Sequence, residues 1–410
     1  MRVSTTQIFR NGIDSIQQNQ VDLSRTQQQL ASGRKILSPS DDPAGAVQAL
    51  QLRSSVDKVE QYQRNADMLT QRLQLNETTV GAVVNGLQRV RELALQGNNA
   101  TQTDESRRYI AGEIRQALGE LQQLANSKDA NGEYIFAGLS SFTQPFVAGA
   151  GGRVEYQGDQ GQRSLQISAV RQVPVGDSGF EVFMSVPNGN GTFFVQDDPG
   201  NSGTGVIDAG SLVDPGAWVP DTYTIEFGDN SAGERIYQIV GAVTGNVLPA
   251  SGDVDDAPVY RSGEAISFNG IQTSVQGVPE AGDRFVVEPS ARRDLFGIYA
   301  GLADALGAPV TNGAAQARLN NAVNRALVDL DQGLGRLLDT QAALGARLNT
   351  VDTQRNINES QILQLRTNIS GIEDLDYAEA ISRFNLQQAA LQAAQQTYVQ
   401  VQRLTLFNFL

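Results

Sequence analysis

Residues 5–37 read TTQIFRNGIDSIQQNQVDLSRTQQQLASGRKIL and carry an apolar residue at every seventh position. The residues in this series are Phe9, Ile16, Leu23, Leu30 and Leu37. A seven-residue apolar repeat keeps one narrow edge of a helix against a partner over many turns. Most other residues are polar, and a helix with so thin an apolar stripe depends on packing for its stability. The stretch predicts a helix over residues 5–37 that lies along another helix.

The other end of the chain carries the same repeat, and we expect the two ends to pair with each other, with other copies, or with both. Such repeats usually form the core of a single bundle. The polar character of the terminal helices favours contact with other copies, because they lack a thick apolar face of their own. The candidate assembly interface consists of Phe9, Ile16, Leu23, Leu30, Leu37, Tyr377, Ile381, Phe384, Leu391, Tyr398 and Val401.

The composition excludes several kinds of site. The chain has 410 residues, enough for two or three domains, and contains no histidine and no cysteine. Ser-His-Asp and Cys-His sites, thiolate or imidazole metal sites and disulfides are therefore excluded. We predict no catalytic residue, no metal site and no cofactor. A carboxylate-dependent hydrolase or a carbohydrate-binding domain in the middle of the chain stays open as an alternative.

The negative charge is concentrated in the middle of the chain. The net charge is −14, and residues 141–290 hold six arginines and no lysine against 19 acidic residues. Nucleic acid and anionic membrane are therefore not expected as partners. No apolar run is long enough for a membrane-spanning helix, and the first 20 residues lack the apolar core of a secretory signal peptide.

A turn is predicted to separate the first helix from a second, long one. Two prolines four residues apart interrupt the helical pattern, and Asp42 before Pro43 is a favourable N-cap followed by proline at the first helical position. The second helix is expected to run from there to about Gln96. The candidate domain-junction turn consists of Pro39, Asp41, Asp42 and Pro43.

Residues 141–290 predict short β-strands. They hold 23 of the 41 glycines and 10 of the 13 prolines, and apolar alternation replaces the helical period. Tyr223, Ile225 and Phe227 lie on one face of a predicted strand. A tight hairpin is expected around Asn269-Gly270.

Helical patterns flank this β segment on both sides. Before it, the Asn131-Gly132 turn is expected to lead into a strand at residues 134–136. After it, we expect a short helix from Arg292 to Leu306 and then a second long helix. The seven-residue series of that long helix is broken only at Asn358.

The layout predicts a mainly α protein in which both chain ends form an elongated helical bundle with an all-β domain at its tip. Residues 1–40 and 373–410 are expected to form a terminal coiled-coil assembly domain. Residues 41–140 and 291–372 are expected to form a helical rod domain. Residues 141–290 are expected to form a Gly/Pro-rich acidic β domain. We also expect residues 1–40 and 375–410 to be disordered in the isolated monomer.

The chain resembles the flagellin superfamily. Residues 30–45, LASGRKILSPSDDPAG, are similar to its N-terminal signature, and residues 378–406 resemble its C-terminal helix. The opening MRVST, the prolines around Asp41-Asp42, and DANGEYIFAG at residues 129–138 are more similar to the hook-associated protein 3 family than to filament flagellins. The resemblance covers about residues 1–146 and 291–410, and it implies a flagellin-like helical bundle.

The resemblance implies a structural, non-enzymatic role in the extracellular bacterial flagellum, at the hook–filament junction. The implied partners are copies of the chain in a ring, hook-associated protein 1 and flagellin. An export chaperone and the flagellar type III export apparatus, which passes the chain unfolded, are implied as well. The alternative within the superfamily is a filament flagellin. The residues implied to bind the chaperone are Phe384, Leu391, Tyr398, Val401 and Leu404.

Overall fold

The computed structural model describes residues 5–149 and 153–403. Within these residues we find no helix with the length and hydropathy of a membrane span. The helices are α1 (Thr5–Ser32), α2 (Pro43–Gly97), α3 (Asp104–Ala125), α4 (Leu295–Gly307), α5 (Gly313–Glu373) and α6 (Tyr377–Arg403).

The strands lie between α3 and α4. They are β1 (Phe146–Ala148), β2 (Val154–Tyr156), β3 (Ser164–Gln166), β4 (Gln172–Pro174), β5 (Val186–Pro187), β6 (Phe193–Asp197), β7 (Val206–Ile207), β8 (Ser211–Leu212), β9 (Tyr223–Asp229), β10 (Arg235–Gly241), β11 (Gly245–Leu248), β12 (Ala265–Phe268), β13 (Ile271–Gln276), β14 (Arg284–Pro289) and β15 (Arg292–Arg293). A π-helix spans Phe180–Met184 and a 3-10 helix spans Val254–Asp256. The predicted change from helix to strand and back is confirmed.

The chain divides into two compact units, and both long helices contribute to each. The terminal unit contains the described residues of 1–66, 167–170 and 353–410. The central unit contains residues 67–166 and 171–352, again as far as they are described. The three-part division expected from the sequence, with boundaries near residues 40, 140, 290 and 372, stays a prediction.

In the terminal unit, α1 packs along α6. The segments of α2 and α5 are linked by ion pairs, including Arg366 with Glu60 at 2.7 Å. Asn358 breaks the apolar series of α5 because its side chain has a backbone partner. Its Nδ2 donates to the carbonyl oxygen of Ile167 at 3.1 Å, and both residues are buried.

Aromatic side chains pack together in the helical part of the central unit. Helix α3 packs against α4 through a buried apolar face. The ring of Phe183 lies 5.0 Å from that of Phe136 and 5.3 Å from that of Phe146. Phe146 in turn lies 5.1 Å from Phe296 on α4. This cluster joins the loop after α3 to the start of α4.

The β part of the central unit has one apolar core shared by two sheets. One sheet is five-stranded and antiparallel, in the order β11-β10-β9-β14-β6, and the other has the order β12-β13-β7 with β8 also paired to β13. Tyr223, Ile225 and Phe227 face the core, as predicted. The predicted hairpin is also confirmed, since Phe268 pairs with Ile271 and the intervening residues have φ values of 42° and 79°.

Three sequence predictions are wrong in detail. Helix α1 ends at Ser32 rather than Leu37, because the chain turns at Gly33. Residues 134–136 do not form a strand: Tyr134 makes an isolated bridge with Lys128, and the next two residues are buried in a turn. Helix α4 begins at Leu295, because Asp294 accepts a hydrogen bond from the N–H of Gly297 as its N-cap.

Candidate assembly site: the paired terminal helices and the Ser-Asp-Asp-Pro turn

The end of α1 requires a glycine. Gly33 has a φ of 70°, which favours glycine, and its N–H donates to the carbonyl of Gln29 at 2.8 Å. A Cβ at this position would lie 2.9 Å from the hydroxyl oxygen of Tyr377, the first residue of α6. The left-handed turn therefore ends α1 and lets the two helix ends approach closely.

A short backbone clasp joins the two ends of the chain. The N–H of Lys35 donates to the carbonyl of Glu373 at 2.7 Å, and the N–H of Leu375 donates to the carbonyl of Gly33 at 3.0 Å. Arg34 and Asp374 form an antiparallel bridge between them. Because the clasp precedes α6 and follows α1, it sets these helices side by side.

Two aspartates build the turn between α1 and α2. Asp41 accepts the N–H groups of Ser38 at 2.9 Å and Leu37 at 3.0 Å, and its other oxygen pairs with Arg25 at 2.6 Å. The N–H of Ser38, helped by Leu37 and by the Arg25 charge, lowers the pKa of Asp41. Asp42 accepts the N–H of Gly45 at 2.9 Å and caps α2, which confirms the predicted cap.

The seven-residue repeat lies mainly on the α1–α6 contact. Buried and partly buried positions recur at alternating spacings of three and four residues on both helices. Phe9 and Tyr398 form an edge-to-face pair with ring centroids 6.1 Å apart. We call this set the terminal stripe, and it contains Phe9, Gly12, Ile16, Asn19, Leu23, Thr26, Leu30, Ala380, Phe384, Gln387, Leu391, Ala394 and Tyr398.

The structure separates the residues of the candidate interface into groups. Seven of them lie in the terminal stripe: Phe9, Ile16, Leu23, Leu30, Phe384, Leu391 and Tyr398. Tyr377 and Ile381 lie on α6 but are exposed. Leu37 is also exposed and belongs to the turn, so its predicted place on the first helix is wrong. The side chain of Val401 and all of Leu404 lie outside the described residues.

Sequence reasoning missed the apolar residues that face away from the terminal stripe. On α1, Val21 is 63% exposed, and on α6, Leu386 is 69% exposed. Ile13 and Val399 are exposed as well. The sequence did contain a signal for these four residues, because each is an apolar residue outside the seven-residue series. We call these four residues the outward set.

Val21 also lines an open groove between α1 and the turn. The groove has a volume of about 930 Å³, and its walls include Val21, Leu37 and the side chains of Gln17, Gln20 and Gln28. Leu37, misplaced by the sequence prediction, thus contributes an apolar wall to the groove. The terminal unit therefore presents an apolar and amide-rich concave surface beside its own helix pair.

The helical ends match known families. The bacterial flagellin N-terminal helical region matches residues 3–141, and the bacterial flagellin C-terminal helical region matches residues 327–410. The crystal structure of flagellar hook associated protein-3 from Legionella pneumophila is 35% identical, with a TM-score of 0.77, and the match covers 78% of this chain and 98% of that chain. The chain belongs to the flagellar hook-associated protein 3 family.

Further relatives separate this family from the flagellins. Flagellar hook-associated protein 3 of Salmonella typhimurium is 23% identical over 409 residues, covering 100% of this chain and 99% of the relative. A flagellin of Salmonella derby is 33% identical, but the match covers only 30% of this chain and 25% of the flagellin. The predictions of a hook-associated protein 3 family member, of its fold class and of its flagellar, structural nature are confirmed.

Proposed function

We propose that the chain is a structural subunit of the bacterial flagellum that joins the hook to the filament outside the cell. Its copies form a ring, with hook-associated protein 1 on the hook side and flagellin on the filament side. Membership of the hook-associated protein 3 family supports this role. The observation that carries it is the outward set, because α1 and α6 pair through the terminal stripe and still expose apolar residues in water.

The paired terminal helices supply the assembly contacts in this proposal. Burial of a Val or Leu side chain contributes about 1.5–3 kcal/mol, so neighbouring copies that cover Val21 and Leu386 gain appreciably from contact. The near-neutral ends of the chain allow that approach without strong repulsion. Pairing within one copy and contact between copies then use different residues. The terminal stripe pairs the two helices of one copy, and the outward set meets neighbouring copies.

In this proposal, the same terminal helices also take part in export of the chain. A chain that passes through the type III apparatus unfolded must keep α6 from pairing with α1 before it leaves the cell. An export chaperone that holds Phe384, Leu391 and Tyr398, together with Val401 and Leu404, does this directly. The first three lie in the terminal stripe, so one face of α6 cannot bind the chaperone and α1 at the same time. The absence of cysteine from the sequence agrees with this route.

A complementation experiment tests the assembly role. In a strain that lacks the chromosomal gene, the wild-type chain should restore filaments. A variant with Val21→Asp and Leu386→Asp should leave hooks without filaments and release flagellin into the medium. The matched control is Val243→Asp, at an exposed valine of the β part. Full-length filaments with the double variant would contradict the proposal.

We also propose that the chain has no enzymatic activity. A carboxylate hydrolase needs two carboxyl groups about 5–10 Å apart around a substrate. Asp208 and Asp329 line one cavity of the central unit, but its volume of about 20 Å³ admits a single water molecule. Release of sugar from glycan substrates that is lost with Asp208→Asn would contradict this proposal.

A further inference from the structure

A rigid loop of the central unit exposes two large apolar side chains. Phe142 is 78% exposed and Leu139 is 60% exposed. The carboxylate of Asp159 accepts the N–H of Leu139 at 3.0 Å, the N–H of Gly161 at 2.7 Å and the hydroxyl of Ser140 at 2.9 Å. We call residues 139–142 the apolar loop.

Two backbone hydrogen bonds hold the apolar loop from its other side. The N–H of Thr143 donates to the carbonyl of Ser140 at 2.8 Å, and the N–H of Tyr134 donates to the carbonyl of Ser141 at 2.7 Å. An exposed aromatic side chain on a fixed backbone loses little conformational entropy when it binds. Phe142 is therefore suited to anchor a partner.

A groove in the same unit is suited to receive such an anchor. It has a volume of about 460 Å³, within the range of binding pockets. Its apolar walls come from Met68 and Leu75 on α2, Leu165 on β3, and Val175. Met68 is exposed, and a methionine side chain adapts its shape to what enters. We call this cavity the α2 groove.

The charges beside the α2 groove cancel one another. Arg72 pairs with Asp129 at 3.0 Å and also with Glu133, and Arg163 pairs with Glu133 at 2.9 Å. Two arginines thus balance two carboxylates. The one carboxylate at the apolar loop, Asp159, is held by internal donors. Two copies of a chain with a net charge of −14 can therefore meet at these surfaces without strong repulsion.

We propose that the apolar loop of one copy inserts Phe142 into the α2 groove of a neighbouring copy. The proposal rests on the proposed function, in which copies are neighbours. The loop and the groove share no residue, so each copy can give its loop to one neighbour and receive the loop of another. Such a head-to-tail contact propagates around a ring. It is separate from the contacts of the terminal helices.

The absence of cysteine makes the contact testable by cross-linking. Thr143→Cys lies beside the anchor and Gln71→Cys lines the α2 groove, and both side chains are exposed. The two single-cysteine chains are produced together in the strain without the chromosomal gene, and isolated flagella are treated with a short bismaleimide. The expected product is a mixed dimer. Val213→Cys, exposed elsewhere in the central unit, replaces Thr143→Cys in the control.

The anchor is then tested within the same pair. Adding Phe142→Ala to the Thr143→Cys chain should lower the yield of mixed dimer about tenfold, the effect expected of an interface hot spot. Phe142→Leu should retain most of the yield, because it keeps an apolar side chain. Far-ultraviolet circular dichroism of the purified variants checks that they fold.

Four outcomes would overturn the inference. A mixed-dimer yield no higher than that of the Val213→Cys control is one. A yield that Phe142→Ala leaves unchanged is another. If Phe142→Ala chains also build normal filaments while Val21→Asp with Leu386→Asp does not, the loop contact fails and the proposed function stands. If wild-type chains are absent from isolated flagella, both fail.

Discussion

At the residue scale, buried polar side chains of α5 hold the backbone of the segment between the helices. Asn321 accepts the N–H of Ile207 at 3.0 Å and donates to the carbonyl of Gly205 at 3.1 Å. Asp329 accepts the N–H of Gly189 at 2.8 Å. Because a buried backbone group without a partner is costly, these side chains fix where irregular segments cross the helix.

Because Asp329 is buried, we predict that the stability of the central unit depends on pH. Burial raises the pKa of this carboxyl above its usual value, so at pH values between the unfolded-state and folded-state pKa the folded chain holds a proton that the unfolded chain has lost. Stability is therefore highest below pH 4 for this group and falls as the pH rises through the folded-state pKa. Asp329→Asn keeps an oxygen acceptor without the charge. We expect it to stabilise the central unit at pH 7 by about 1 kcal/mol, the size of a typical single-substitution effect.

Urea unfolding at pH 4 and pH 7 measures this difference. The variant should gain relative to the wild type as the pH rises. A gain of equal size at both pH values would show that the ionised form carries no penalty. A loss that grows towards pH 7 would show that the charge is favourable, through Arg293 at 3.7 Å.

Substitution of Gly33 is predicted to weaken the clasp between the two ends of the chain. Gly33→Ala places a Cβ in the left-handed region, at a cost of about 1–2 kcal/mol, and directs it at the hydroxyl of Tyr377. In assembled flagella, where the ends are expected to be protected, the clasp between residues 33–35 and 373–375 should open more often and give faster amide exchange at Lys35 and Leu375. Gly371→Ala is the matched control, because this glycine lies in α5 with open space around it and should gain up to about 1 kcal/mol. Equal exchange rates in both variants would contradict the role of the turn.

At the element scale, a helix can be continuous and still serve different partners along its length. Helix α5 keeps the apolar seven-residue series from Val323 to Val351 and then presents buried amides. The Nε2 of Gln354 donates to the Oδ1 of Asn358 at 2.9 Å, and Asn358 donates to the carbonyl of Ile167. A single buried asparagine in an apolar series specifies a partner and a register at some loss of stability.

Asn358→Leu tests that role. The leucine restores the apolar series of α5 but removes the donor to Ile167, whose residue is fully buried. We expect α5 to stay helical while amides of the β3–β4 connection, residues 167–171, exchange about fivefold faster, because one hydrogen bond contributes about 1 kcal/mol. Hydrogen exchange followed by peptide mass spectrometry reads both regions at once. Unchanged exchange in the connection would mean that Ile167 packing alone holds it.

At the scale of the whole molecule, the charge is divided as the sequence indicates. The acidic residues concentrate in the β segment, and many of them hold the fold: Asp221 accepts the N–H groups of Val243 and Thr244, and Asp283 accepts that of Ser202. The β segment is therefore locally ordered by its acidic side chains and also carries a high surface charge. The helical ends remain near neutral.

The terminal helices predict uneven stability across the chain. Their pairing depends on a stripe of partly buried residues, whereas the central unit has fully buried cores. In dilute monomer we expect low exchange protection over about residues 1–40 and 375–410 and high protection in α3, α4 and the β sheets. In assembled flagella the same ends should become protected. Strong protection of the ends in the monomer would contradict the expected folding on assembly.

Sequence periodicity alone determined the helices and the β segment between them, and it left open whether the chain ends pair with each other, with other copies, or with both. A seven-residue repeat and a period of two report directly which face of an element is buried. The helix cap at Asp42 and the hairpin turn at Asn269-Gly270 were equally predictable from the sequence, because each acts between neighbours in the chain. The resemblance of residues 30–45 to the flagellin superfamily, and of residues 129–138 to the hook-associated protein 3 family, added the flagellar role.

Only the tertiary structure decided which apolar residues remain free after the helices pair. The sequence placed Phe9, Ile16 and Leu391 in a candidate assembly interface and left open whether they meet the other chain end, other copies, or both. In the structure they lie in the stripe along which α1 packs against α6. Ile13, Val21, Leu386 and Val399 remain outside it. Likewise, Asn358 interrupts the apolar series of α5 in the sequence. Only the tertiary structure shows that its side chain donates a hydrogen bond to the carbonyl of Ile167. Contacts between residues far apart in the chain produce no periodic pattern in the sequence, so they can be identified only in the folded structure.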